Sequence, residues 1–261
     1  MKDVLLLVHD DGGQEARFQI ALDVVEAVRG HVICVDIVEA RSPAGNYGLL
    51  FAEDRARDRI HGKLMEERLR IEDLPWIWVD AMEGRESAVG SAAGMADLIV
   101  LNRKLHCEDR RKRLLIGDEL VASGRPLLAV PEAARRMTVA GAKVLIAWDG
   151  SEQAINALIA SVPLVRLARK VLILELGDGI MGVSADDAAT YLARHGIAAD
   201  IVRTDPDIDA TVPVLIGTSR SMGADYIVMG GFAHWRLAES MFDGTPHRML
   251  AECPAPLFLA H

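Results

Sequence analysis

The chain has 261 residues, room for one large domain or two of ordinary size. Apolar residues make up 51%, enough for a packed core, and the formal net charge of −9 argues against general binding to nucleic acid or acidic membranes. No apolar run reaches membrane-spanning length, and three scattered cysteines, Cys34, Cys107 and Cys253, lack metal spacing and suit a reducing cytoplasm.

Asp3 to His9 is a short apolar run that meets acids at once, so it reads as a first strand and not a signal peptide. Gln14 to Arg29 is predicted helical, with Ala16, Ile20, Ala21, Val24 and Val25 on one stripe, and Gly30 ends it. His31 to Val38 is a second buried strand. Ala40 to Gly48, with Pro43, Gly45 and Gly48, is a loop. Leu50 to Glu72 is a long charged helix, Trp76 to Ala81 a strand, and Glu86 to Ala96 a helix of small residues. Asp97 to Leu101 is a strand, Arg110 to Ala122 a helix, and Pro126 to Val130 a fifth strand. Glu132 to Gly141 is polar and aperiodic, and is read as a linker.

The second half repeats the plan. Strands are predicted at Lys143 to Trp148, Val171 to Leu176, Ile201 to Thr204, Asp225 to Met229 and Ala255 to Ala260. Helices are predicted at Glu152 to Leu167, Ala185 to His195, Ala210 to Met222 and Leu237 to Glu252, the last broken near Gly244. Pro213 is expected to push the regular part of the third of these helices later, and Gly177 to Gly182 forms a glycine-rich loop. Runs this far apart cannot be hairpins, so the sheets are expected to be parallel with right-handed crossovers.

The stretch that organises the chain is Lys143 to Glu152. A buried strand breaks at Asp149-Gly150 and feeds a helix from Ser151. Gly150 permits the tight turn, and Ser151 or Asp149 can cap the helix. Free backbone N–H groups there favour an anion or a polar ligand. Asp149 stands at the carboxyl end of a strand, where open α/β sheets bind ligands. A worn copy, His9-Asp10-Asp11-Gly12-Gly13, lies near the start of the chain. Other stretches repeat as well. Met95-Ala-Asp-Leu-Ile-Val-Leu101 matches Gly223-Ala-Asp-Tyr-Ile-Val-Met229, and Arg125-Pro-Leu-Leu-Ala-Val130 matches Ala255-Pro-Leu-Phe-Leu-Ala260. A period of about 130 residues is too long for a solenoid and means two domains of one fold. The boundaries are set at 1–136 and 137–261.

A first strand ending Asp149-Gly-Ser-Glu152, then Ala224-Asp-Tyr-Ile-Val-Met-Gly230, then Gly244-Thr245, then Cys253-Pro-Ala-Pro-Leu257 resembles a universal stress protein domain. The first half resembles a more divergent copy, so the whole chain resembles a tandem-type member of that family. The resemblance implies an α/β fold with two doubly wound five-stranded parallel-sheet domains, of the adenine nucleotide alpha hydrolase-like type, packed as a pseudo-dimer. It implies a site able to take ATP or another adenine nucleotide, with or without Mg²⁺, while the residues themselves offer no metal site. In nucleotide-binding members a Gly-x2-Gly-x9-Gly-Ser/Thr segment follows strand 4. Its glycines let backbone N–H groups close on phosphate oxygens, while an Asp after strand 1 faces the nucleoside.

Here that segment departs from the pattern. Read from Gly230, Ala233 and Asp243 stand where the second and third glycines belong. Read from Gly231, His234 takes the second place, and Gly244-Thr245 falls correctly in the third. His234 and Arg236 can act as compensating donors to phosphate. The candidate ligand-binding residues are therefore Asp149, Gly150, Ser151, Gly230, Gly231, His234, Arg236, Gly244 and Thr245. In the first half the glycines are gone except Gly117, so that half is not expected to bind nucleotide in the usual way. Its basic run of Arg103, Lys104, Arg110, Arg111, Lys112 and Arg113 can hold an anion or a partner, or be a solvated helix start. His106-Cys107 has no second pair to complete a metal site, and Ser151 lacks a Gly-x-Ser-x-Gly elbow, so it reads as a cap.

The chain thus reads as a cytoplasmic, non-enzymatic stress-response protein. It is expected to bind an adenine nucleotide in its second domain and to signal through protein partners, with no nucleic-acid or membrane partner, as an internal pseudo-dimer open to homodimerisation. A slow ATP hydrolase and an interaction protein that has lost its site are the alternatives. The fifth strands, with Pro126 and Pro256, are the edges through which the halves are expected to meet.

Overall fold

The computed structural model describes residues 1–37, 48–81, 86–103, 123–177, 182–205, 207–231 and 245–260. In the first half these are β1 (Asp3–Val8), α1 (Gln14–Val28), β2 (His31–Ile37), α2 (Gly48–Ile71), β3 (Trp76–Ala81), α3 (Glu86–Met95), β4 (Leu98–Asn102) and β5 (Leu127–Val130). In the second half they are β6 (Lys143–Trp148), α4 (Glu152–Val165), β7 (Lys170–Leu176), α5 (Ala185–Arg194), β8 (Ala199–Thr204), α6 (Ile208–Met222), β9 (Tyr226–Gly230), α7 (Thr245–Glu252) and β10 (Leu257–Ala260). The loop expected at Ala40 to Gly48 falls outside the described residues up to residue 47, and the helix expected at Arg110 to Ala122 lies wholly outside them. The last helix is described from Thr245 onward.

All the strands join one ten-stranded sheet in the order β3-β2-β1-β4-β5-β10-β9-β6-β7-β8. Neighbours are parallel except at the centre, where β10 runs antiparallel to β5 with Leu257 opposite Ala129, Phe258 opposite Leu128 and Leu259 opposite Leu127. Two doubly wound five-stranded units therefore share a sheet through their fifth strands, the arrangement expected of a pseudo-dimer. Pro126 and Pro256 lie just ahead of the paired stretches, where a missing N–H interrupts no ladder. Their carbonyls still serve the sheet, each accepting at 3.0 Å, from Ile99 and Ile227 respectively.

Alternation along the strands builds the two faces. Val4, Leu6 and Val8 point to one side and pack with Phe18, Ile20, Val24 and Val25 of α1 and with Met65 and Leu69 of α2. The same core runs through Leu128 and Phe258, both fully buried, to Val144, Ile146 and Trp148 under α4 and α5. One hydrophobic core thus crosses the join between the halves. Each fully buried Leu, Ile or Phe contributes about 1.5–3 kcal/mol, so the join is held by packing as well as by the ladder. On the opposite face, Leu5, Leu7 and Ile33 meet Ala93 and Ala96 at α3. In the second half, Leu145, Leu174, Met229 and Leu259 meet Val212 and Leu215 of α6 and Met249 of α7.

The repeated Ala-Asp pair has a structural use. The Asp97 carboxylate accepts the N–H groups of Lys2 and Asp3, and the Asp225 carboxylate accepts the N–H of Lys143 at 2.8 Å. Each aspartate thereby pins the start of its unit's first strand.

Two expectations need correction. The segment read as a polar linker is docked: Arg136 and the Met137 N–H both donate to the buried Asp23 of α1, and Met137 and Val139 are buried. Their spacing of two is too short for periodicity to register. Helix α6 begins at Ile208, ahead of Pro213, and keeps the proline inside. The proline stands close enough to the helix start that few intrahelical bonds precede it.

Candidate functional site

The turn after β6 is built by three residues. Gly150 has φ +76, and a side chain there would strike the backbone of Val183, with Val183 O only 2.8 Å from a Cβ. The close approach is real pairing: the Val183 N–H donates to Gly150 O at 3.2 Å, and the Trp148 indole Nε1–H donates to Val183 O at 2.8 Å. The Asp149 carboxylate accepts the Ser151 N–H at 3.0 Å, and the Ser151 hydroxyl caps α4 by accepting the Ala154 N–H at 3.2 Å. Of the two candidate caps, Ser151 is therefore the N-cap, and Asp149 orders the turn before it.

Beside this turn β9 ends on Gly230. A Cβ there would lie 2.9 Å from Gln153 Cβ and 3.0 Å from Ala154 N, so the strand passes against the first turn of α4 where only glycine fits. Gly231 follows, its N–H held by Ala260 O at 2.7 Å.

These elements enclose a cavity of about 550 Å³ at the carboxyl ends of β6, β7 and β9, where the strand order reverses. Asp149, Ser151, Gly230, Gly231 and Thr245 line it. So five candidate residues, drawn from both ends of the second half's sequence, meet at one place. Gly150 shapes the turn from behind. His234, Arg236 and Gly244 lie outside the described residues, as do Ala233 and Asp243. Apolar walls come from Ala147, Leu176, Leu215 and Met229, and polar groups from Gln153, Thr211 and Asp205. Asp205 and Thr211 were missed in sequence; the available signal was the end of the predicted third strand, whose Asp205-Pro-Asp207 run reads as a turn. Ser151 and Gln153 at the start of α4 and Thr245 and Pro246 at the described start of α7 line the space, and a helix start favours a negative group. No group of three or more metal-ligating side chains stands among the described residues.

The first half shows the same turn with a different outcome. The Asp11 carboxylate accepts the Gly13 N–H at 2.8 Å, and Gly13 is the N-cap of α1. Strand β4 ends on Asn102 where β9 ends on Gly230. The Asn102 side chain is fully buried and sits so close to Gly13 that a Cβ there would collide with it. Arg17, 3% exposed, fills the rest. Its guanidinium pairs with both Asp11 oxygens at 2.9 Å and donates to Asn102 Oδ1, Gln14 Oε1, His9 O and Leu7 O. Burial pulls its pKa down and the Asp11 carboxylate pulls it up. Where the second half has its cavity, the described residues of the first half place the chain's own cation.

Arg103, read as part of a basic run, is engaged within the fold and donates to Leu250 O and Ala255 O. The rest of that run and Cys107 lie outside the described residues. Cys34 and Cys253 are buried and unpaired with each other. No helix among the described residues is long and apolar enough to cross a membrane.

No protein-family model matches the sequence, and no curated protein matches it. Solved structures do. A universal stress protein from Archaeoglobus fulgidus DSM 4304 superposes with a TM-score of 0.75 at 12% identity, over 99% of this chain and 95% of its own. The chain has the universal stress protein fold. A functionally unknown protein from Pseudomonas aeruginosa PAO1 matches with a TM-score of 0.58 at 13% identity, over 99% of this chain and 92% of that one. A protein from Pseudomonas aeruginosa UCBPP-PA14, provisionally named a universal stress protein, matches at 0.55 and 14%, with the same coverage. The matches run across both halves, so the tandem arrangement belongs to the fold.

Proposed function

We propose that this chain is a tandem-type universal stress protein that holds one adenine nucleotide in its second half, residues 137–261, while residues 1–136 form a partner unit with a filled site. The observation that carries the reading is the meeting of Asp149, Ser151, Gly230, Gly231 and Thr245 around a cavity of about 550 Å³. Ligand pockets of small molecules run from about 300 to 1,000 Å³. The apolar walls at Ala147, Leu176, Leu215 and Met229 suit a purine ring. The carboxylates of Asp149 and Asp205 suit hydroxyl or amino donors of a nucleoside. The glycine backbone, the Thr245 hydroxyl and the two helix N-termini suit phosphate. His234, Arg236 and Gly244 belong to the same reading through the sequence pattern, and Mg²⁺ would accompany ATP through its phosphates. The role is regulatory and non-enzymatic: ligand occupancy would be read by protein partners in the cytoplasm during stress.

The test is to purify the full chain without added nucleotide, denature it, and record intact mass and absorbance of what is released. An adenine nucleotide near one per chain supports the reading. No released nucleotide, together with no calorimetric binding at millimolar ATP, would replace it with that of an interaction protein that has lost its site.

A further inference from the structure

Helix α7 ends where its own chain cannot finish it. The Leu250 carbonyl would accept the N–H four residues on, but that residue is Pro254, which has none. The Cys253 N–H closes on Met249 O at 3.0 Å. The missing donor comes from the other half of the chain. Arg103, the first residue after β4, gives Nη1 to Leu250 O at 3.3 Å and Nη2 to Ala255 O at 2.6 Å. Ala255 lies between Pro254 and Pro256, so one guanidinium serves the whole proline-interrupted exit from the helix. Arg103 is half-buried, burial pulls its pKa below the usual value, and its Nε is buried without a partner among the described residues. A cation at a helix C-terminus is also favoured by the helix dipole.

The other end of the same helix is Thr245, on the wall of the cavity. The helix has 8 residues. At 1.5 Å per residue it is a rod of about 12 Å. An arginine of the first half holds one end and the candidate ligand site of the second half lies at the other.

We propose that Arg103 is a positioning residue for the second half's cavity: it fixes α7 and so sets where Thr245 stands. This rests on the nucleotide reading above. It gives the first half, whose own site is filled, a part in binding.

The experiment compares full-length wild type with Arg103→Met and Arg103→Lys. Native-state hydrogen exchange without ligand reads the helix directly. Arg103→Met is expected to speed exchange in α7 by about tenfold or more, with α6 unchanged. Calorimetry then reads the site. Arg103→Met is expected to weaken ATP by about tenfold and adenosine by less than about twofold, because α7 faces the phosphate end. Arg103→Lys keeps the cation and should restore most of the ATP affinity, and a loss confined to ATP is what a merely structural role would not show. Unchanged exchange in α7, or equal loss of both ligands without rescue by lysine, would overturn the proposal while leaving the nucleotide reading in place. Failure of wild type to bind either ligand would overturn the nucleotide reading, and with it any role of Arg103 at the cavity.

Discussion

Asp11 and Asp149 make the same turn, each accepting the N–H of the residue two ahead, which caps the following helix, at 2.8 and 3.0 Å respectively. Beyond the turn they part. Asp11 is locked in a buried ion pair with Arg17, whereas Asp149 faces an open cavity. The difference follows from three positions. Arg17 on α1 supplies a cation, Asn102 supplies a side chain where β9 has Gly230, and Gly13 makes room for it.

Gly230 brings the end of β9 against the first turn of α4 beside the cavity. Gly230→Ala sets a methyl against Gln153 Cβ and Ala154 N at 2.9–3.0 Å, so α4 must move. Overpacking of this kind costs about 1–3 kcal/mol. Thermal or denaturant unfolding should show that loss, and a cost near zero would mean that the strand does not run this close to the helix.

The first half's network should be a stability element. Arg17→Met leaves the Asp11 carboxylate and the Asn102 amide buried without their cation. Breaking a buried pair from one side costs about 3–5 kcal/mol. Denaturant unfolding of Arg17→Met and of the Arg17→Met, Asp11→Asn double variant reads the pair. The double variant should be less damaged than the single one.

Much of the fold was legible because its signals are local. Strand-length apolar runs, Gly30 after the first helix, and the repeated Ala-Asp pair placed most elements within a few residues. The site was partly legible, since Asp149, Ser151 and Gly230 lie in recognisable sequence. Arg17 was not read, although the signal was there: it stands three, four and seven residues before Ile20, Ala21 and Val24, an arginine within the core-facing stripe. Reading it needs Asn102, which only the sheet brings near. Arg103 escaped for a related reason. Its acceptors lie in the other half, and in sequence it was read only as one member of a basic run.

Cys34 is fully buried, and burial, with Asp36 and Glu66 adding to it, pushes its thiol up to about 12. At pH 8 that leaves about one thiolate in ten thousand. Native protein treated with iodoacetamide and mapped by mass should show Cys34 and the buried Cys253 unlabelled, with both labelled in denaturant. Fast labelling of Cys34 in the native state would contradict this core.

Asp97 carries a pH signature. Partial burial raises its pKa, but the N–H groups of Lys2 and Asp3, the terminal ammonium and Arg125 outweigh burial and hold it below the usual value. A depressed folded value means stability that is present in full above the usual carboxylate range and lost as pH falls through the folded value. The carboxylate is 41% exposed, so screening keeps the effect under about 1 kcal/mol. The stability gap between wild type and Asp97→Asn should therefore shrink between about pH 5 and pH 2. A gap constant with pH would show that charge plays no part.

The proposed function gives the chain one nucleotide site, in the second half, with Arg17 and Asn102 filling the matching place in the first. Calorimetric titration of the full chain with ATP tests it most directly, using wild type, Gly230→Asn, which copies the end of β4 onto β9, and Asn102→Ala, which alters the first half alone. One ATP per chain is expected in wild type and in Asn102→Ala, and none in Gly230→Asn. Two ATP per chain in wild type, or binding that survives Gly230→Asn and disappears in Asn102→Ala, would contradict it.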